Sequence, residues 1–310
     1  MKLAFALPTL LIAAALFASA APAQQASAVA VASAPPARPQ VGFSIIKTGK
    51  VSVAERLLLP DGSLTKKIDT NFSAFLIKHK DDYLLFDTGL GVNIEAQYGQ
   101  DMPYWARPVF KFDKPVHPVR KQLDGAGFAP IQKVILSHSH WDHASGLPDF
   151  PEAQVFASAD EMDHIAHAQS GAGSAWPSQV AMSGTRWTPL VFQPIAHKGY
   201  AQSLDWFNDG TVVLVPMSGH TEGSIGMFVT VDSGKCYFFI GDVAWKTGAM
   251  LAGAPKFWAA SMVVDRDRAQ TLRSVEQVRD VALRYPEMVV VPAHDAAVQD
   301  ALGYFPAWIR

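Results

Sequence analysis

From Val41 onward, short apolar runs alternate with polar segments rich in turn residues. Phe43-Ser44-Ile45-Ile46 and Val51-Ser52-Val53 open the series. Phe75-Leu76-Ile77, Tyr83-Leu84-Leu85-Phe86, Val134-Ile135-Leu136, Val155-Phe156, Val212-Val213-Leu214-Val215, Met227-Phe228-Val229, Tyr237 to Ile240 and Met288 to Val291 continue it. Many of these runs are unbroken rather than alternating, the pattern of strands buried on both faces. A different spacing appears in Leu272, Val275, Val278, Val281 and Ala282, which predicts a helix started by Asp265 or Asp267 and stopped before Pro286. A shorter helix is predicted over 159–168. Strands flanked by helices in both halves predict an α/β chain with two sheets face to face and helices outside, a four-layer αββα sandwich. No internal repeat is evident.

Before Val41 the pattern is different. Lys2 gives a positive start, Leu3 to Phe17 is apolar, and Ala18-Ser19-Ala20 or Ala21-Pro22-Ala23 offers a small-residue cleavage site. The apolar stretch falls short of the ~20 residues of a spanning helix and is interrupted by Pro8. Residues 1–23 therefore read as a signal peptide, 24–40 as a flexible leader of Ala, Pro, Ser and Gln, and 41–310 as the folded domain. The expectation is export to the periplasm or beyond, with no stable membrane insertion after cleavage. Composition narrows the function: 310 residues, 49% hydrophobic, suffice for a sizeable core, and a net charge of −2 provides no basic field for nucleic acid. Cys236 is the only cysteine, so an internal disulfide is excluded. Its setting in a strand-like run marks it as a small buried residue rather than a ligand.

The candidate chemistry lies where strands end. Ser137-His138-Ser139-His140-Trp141-Asp142-His143 follows the run ending at Leu136, putting three imidazoles and a carboxylate on one loop. These are the nitrogen and oxygen donors that zinc takes. His220 follows the run Val212 to Val215, Asp242 follows Tyr237 to Ile240, and His294 follows Met288 to Val291. A donor thus stands two to five residues beyond a buried strand each time, where loops on a rigid sheet carry function. His79, His117, His164, His167 and His197 lack that placement and stay unassigned; His164 and His167 fit a solvated helix face.

These residues carry a resemblance. The HSHWDH run, 138–143, resembles the HxHxDH signature of the metallo-β-lactamase-fold superfamily. SGHTEGS around His220, Gly241-Asp242 and His294-Asp295 follow that family's pattern in order, and Asp87-Thr88-Gly89 resembles its early Asp-x-Gly turn. The resemblance covers residue 41 to the C-terminus and implies that family's αββα fold. It implies that His138, His140 and His220 hold one metal, that Asp142, His143 and His294 hold a second, and that Asp242 bridges them. Asp87 reads either as an orienting partner of a ligand or as a turn residue.

What the resemblance implies chemically is a metal-dependent hydrolase acting on a small molecule. Hydroxide shared by two divalent ions would attack a carbonyl, and Asp142 would carry a proton to the leaving group. Zinc is the default, and manganese, iron or cobalt also suits an all-N/O set. Lactones lead over acyclic esters, thioesters and β-lactams, the last a minor possibility because the true β-lactamases commonly place a cysteine where Asp242 stands. An iron-dependent redox enzyme of the same fold is the alternative of another class. The chain resembles the acyl-homoserine-lactone lactonases except that Trp245 occupies the place of a tyrosine three residues after the bridging aspartate. Tyr98, Met102, Tyr104, Trp105, Phe110, Phe112, Met250, Phe257 and Trp258 either rim the substrate site or cover the sheet. Oligomeric state is left open.

Overall fold

The alternation of side chains along each strand builds the layers. The computed structural model describes residues 40–310; the segment read as a signal peptide, and all of the expected leader but Gln40, lie outside the described residues. A first sheet contains β1 (Val41–Ala54), β2 (Lys67–His79), β3 (Asp82–Phe86), β4 (Lys133–Ile135), β5 (Gln154–Ser158) and β6 (Arg186–Leu190), in that spatial order. β2 runs antiparallel to both β1 and β3, and β3 through β6 are parallel. The second sheet is ordered β11 (Val289–Val291), β10 (Cys236–Phe239), β9 (Ile225–Thr230), β8 (Val212–Pro216), β7 (Leu204–Asp205).

Phe43, Phe75, Leu84 and Phe86 of the first sheet meet Leu214, Met227, Phe239 and Val291 of the second in one core. Their immediate neighbours point outward. Leu76, Leu85 and Val134 pack with Val119 and Leu123 of α2 (Val119–Gly125), while Val213, Phe228 and Phe238 pack with Val275, Val278 and Val281 of α8 (Arg268–Arg284). Burial on both faces is why the runs lack alternation. The αββα sandwich is the fold observed. α8 starts at an Asp267 cap that accepts from the backbone N–H of Gln270 at 2.8 Å, and α4 (Ala159–Ala166) starts at Ser158, which accepts from Glu161.

Two details differ from the sequence pattern. The runs at Phe43 and Val51 belong to a single strand, because a bulge between Lys47 and Gly49 carries β1 through a polar stretch. That length matters: β2 pairs with β3 only from Phe75 to His79, so residues 67–74 and the end of β1 project past the sheet beside the C-terminal ends of β3 and β4. Cys236 is half-buried at the start of β10 against the α8 layer, and burial raises its thiol pKa. No helix among the described residues is long and apolar enough to cross a membrane.

Candidate metal centre

Strand direction brings the donors together. β10 is parallel to β11, and β8 lies two antiparallel steps from β10, so all three deliver their C-terminal ends to one edge. His220, Asp242 and His294 follow those ends, and the run 138–143 follows β4 in the facing sheet, with Asp142 and His143 in the short α3 (Trp141–Ala144). Gly219, at φ +131°, turns the chain into His220; a Cβ there would sit 2.3 Å from the backbone nitrogen of Thr271.

All seven sequence-predicted donors converge, and all are buried. Ligand atoms of His138, His140 and His220 lie within 4.8 Å of one another, as do those of Asp142, His143 and His294; His138, His143 and Asp242 form a group that joins the two. Asp242 faces both sides. Its Oδ1 is 3.3 Å from His143 Nε2 and 3.0 Å from His294 Nε2, while its Oδ2 is 3.5 Å from His220 Nε2. Asp142 Oδ2 lies 3.2 Å from His294 Nε2.

The far side of four of the five rings is held by the protein. His220 Nδ1–H donates to Asp265 at 2.7 Å, His294 Nδ1–H to the carbonyl of Asn71 at 2.7 Å, and His143 Nδ1–H to Asp87 at 2.9 Å. Asp87 also accepts from Ser137 N–H at 2.7 Å and Ser137 Oγ at 2.8 Å, leaving that hydroxyl oxygen to accept from His138 Nδ1 at 3.0 Å. Asp87 is thus the orienting partner and not a plain turn residue. His140 is turned the other way, with Nδ1 2.9 Å from His220 Nε2. Buried Nε2 of His138, Nε2 of His143 and Oδ1 of Asp242 have no hydrogen-bond partner. Bare donors converging in a buried site fit cations, which satisfy what would otherwise cost free energy.

Burial, then neighbouring imidazoles, holds His138 and His140 well below the usual histidine pKa. Burial and then Lys256 lower His220. Burial also opposes the charged form of His143 and His294, but carboxylates outweigh it: Asp87, Asp242 and Asp142 raise His143, and Asp242 with Asp142 raises His294 to about 10.

A family model described as the metallo-beta-lactamase superfamily matches residues 71–294. The chain belongs to that superfamily. Among sequence relatives, a probable metallo-hydrolase of Mycobacterium tuberculosis is 27% identical over 242 residues, 71% of this chain and 73% of the relative. The N-acyl homoserine lactonase AiiB of Agrobacterium fabrum is 23% identical over 227 residues, 65% of this chain and 76% of AiiB. Among solved structures, an AiiA variant of B. thuringiensis with N-decanoyl-L-homoserine at its active site gives a TM-score of 0.64 at 15% identity, covering 86% of this chain and 98% of that one. AidC, a dizinc quorum-quenching lactonase, gives 0.56 at 16%, covering 87% and 90%. At such identities the structural likeness establishes the fold.

Around this superfamily centre stand residues that sequence reasoning missed. Fully buried Glu161 accepts from Ser139 N–H at 2.6 Å and Ser139 Oγ at 2.5 Å, and its other oxygen accepts from Thr221 Oγ1 at 2.5 Å. It ties the loop of His138 and His140 to that of His220. Asp265 pairs with buried Lys256 at 2.7 Å. It was visible as a helix-start candidate, but nothing nearby signalled its partnership with His220. His164 is not on a solvated face: its side chain is 9% exposed and pairs with Glu222 at 3.1 Å, whereas His167 is 77% exposed.

The centre lies in a cleft. Val51, Val53 and Phe72 from the projecting β1–β2 ends, Leu57 and Leu58, Phe110, and Ala260 and Val264 of α7 (Trp258–Val264) form apolar walls. Of the aromatic and methionine residues weighed as a rim, Phe110 lines the cleft. Tyr98, Met102 and Phe112 pack behind it, Met250 packs under α8, and Tyr104, Trp105 and Trp258 are exposed.

Proposed function

We propose that this metal-dependent hydrolase cleaves a carbonyl ester, with a lactone as the favoured form, at two divalent ions held side by side. The observation that carries the reading is Asp242, whose two oxygens face different histidine groups at the floor of an apolar cleft. His138, His140 and His220 would hold one ion, Asp142, His143 and His294 the other, and Asp242 both. Bound ions supply a polarised carbonyl and water whose pKa falls from 15.7 to about 7, so no serine or cysteine nucleophile is required. Nitrogen and oxygen donors favour zinc and also accept manganese, iron or cobalt.

The remaining tasks fall to the chain. Asp87, Asp265 and the Asn71 carbonyl keep His143, His220 and His294 aimed inward. The apolar walls exclude water and accept a hydrocarbon portion of the substrate. Asp142, buried beside His294, is placed to pass a proton to the leaving alkoxide. A sequence relative described as an N-acyl homoserine lactonase supports a lactone. Cys236 lies at the opposite end of β10 from Asp242, which leaves the site without a thiolate and argues against a β-lactamase-type centre.

Metal analysis of the mature chain is expected to give about two ions per protein, with activity lost to a chelator. A panel of acyl-homoserine lactones, simple lactones, aryl esters, a thioester and a chromogenic β-lactam, assayed with zinc, manganese and cobalt, is expected to show lactone turnover foremost. Turnover confined to the β-lactam, or to a phosphodiester control, would refute the ester reading. We also propose export to the periplasm or beyond: N-terminal sequencing of native protein is expected to start near Ala21 or Gln24, and intact Met1 in the cytoplasm would show otherwise.

A further inference from the structure

Trp245 lines the cleft three residues after Asp242, where its indole has two conceivable partners, the substrate and the protein. An indole carries one N–H, donates one hydrogen bond and accepts none. In the structure that single donor is spent on the protein, since Nε1 lies 2.8 Å from Asp242 Oδ2.

Two further contacts fix the ring in that pose. Its plane stands at 85° to the His294 ring at a centroid distance of 6.5 Å, an edge-on contact. The ammonium of Lys256 sits 5.6 Å from the indole centroid, within cation–π range. Lys256 is itself held, with a side chain only 2% exposed and paired to Asp265 at 2.7 Å, and Asp265 grips His220 at 2.7 Å. The run of contacts from Asp242 through Trp245, Lys256 and Asp265 to His220 closes a loop behind two residues that must face the same ion.

We propose that Trp245 is a positioning residue for the metal centre: its N–H fixes the rotation of the Asp242 carboxylate so that one oxygen faces each histidine group, and it donates nothing to the substrate. This rests on the two-ion reading above. A carboxylate oxygen has lone pairs for both the indole and a cation, so the bond to Oδ2 sets direction without consuming the ligand. The indole face is left as an apolar wall of the cleft.

The test replaces the N–H and leaves the shape. Trp245→Phe is made alongside a protein in which 3-benzothienylalanine, with sulfur in place of the indole N–H, is inserted at position 245. Zinc affinity and stoichiometry are read by competition with a chromophoric chelator, and KM and kcat on the best lactone or ester of the panel. The expected result is zinc affinity weakened about 10- to 100-fold in both proteins, with KM within about twofold of wild type once zinc is saturating. Unchanged zinc affinity, whether or not kcat or KM moves, overturns the proposal. If Trp245→Phe does not fold, the benzothienyl protein alone decides by the same criteria. Wild type that binds no zinc would instead sink the two-ion reading, a result distinguishable from wild type and variants binding it equally.

Discussion

The two histidine groups use the same side chains in opposite electrostatic settings. His138, His140 and His220 lie among imidazoles and near Lys256, and burial is reinforced by those neighbours, so the rings are neutral donors at neutral pH. His143 and His294 lie among Asp87, Asp142 and Asp242, which overcome burial and keep protons on the rings when no cation is present. The first group is ready for a cation as it stands; the second must exchange protons for one. Residue type identifies a ligand, but its neighbours decide what binding a metal costs.

The largest effect expected from breaking this asymmetry comes from Asp242→Ala. Both groups lose their shared carboxylate, so metal content should fall toward zero and activity by more than about 100-fold, beyond the range for an indirect partner. His138→Ala and His294→Ala should each lose only one ion, from different groups. Metal counts on the three proteins check this, and an Asp242→Ala protein that retains one ion at wild-type affinity would show that the carboxylate is not shared.

The same asymmetry should appear in pH dependence. His294, raised to about 10, holds its proton through the neutral range in the metal-free protein and must release it to bind through Nε2. Affinity of the second group should therefore rise with pH, by about tenfold per unit for each proton displaced, and by about 100-fold per unit where His143 releases one as well. The first group, already neutral, should change little between about pH 7 and 8. Zinc titrations at several pH values, with proton release followed in a weakly buffered solution, measure both slopes. Equal slopes would mean that the carboxylates do not set the protonation of the second group.

Legibility of the centre in the sequence follows from geometry. His220, Asp242 and His294 could be read because each follows a buried strand, and strand ends of like direction share an edge. The αββα layers could be read because runs such as Val212 to Val215 have no polar face. Glu161 and Asp265 could not, since one rides on α4 and the other precedes α8, and only tertiary packing sets them against Ser139 and His220. β6 was hidden for another reason: it is an edge strand paired only with β5, contains Pro189 and is partly exposed, so it lacks a buried strand's pattern. The Trp245 bond to Asp242 depends on a rotamer, which no spacing encodes.

The smallest effects should come from the residues behind the rings, and they sharpen the comparison most because each bonds directly to a ring of one group only. Asp265 accepts from His220 and Asp87 from His143, so Asp265→Asn should weaken the first group and Asp87→Asn the second. An amide oxygen still accepts the imidazole N–H, which keeps the expected loss near tenfold in affinity, the low end for such partners. The two changes should differ in kind. Asp87 is one of the carboxylates that hold His143 charged, so Asp87→Asn removes part of the reason for its proton and should flatten the pH slope of the second group as it weakens binding. Asp265→Asn leaves the buried Lys256 ammonium without its carboxylate, so His220 should become a poorer donor while the second group's slope stays as in wild type. Zinc titration of both variants across the same pH series separates these outcomes, and a flattened slope in Asp265→Asn alone would reverse the assignment of the two settings.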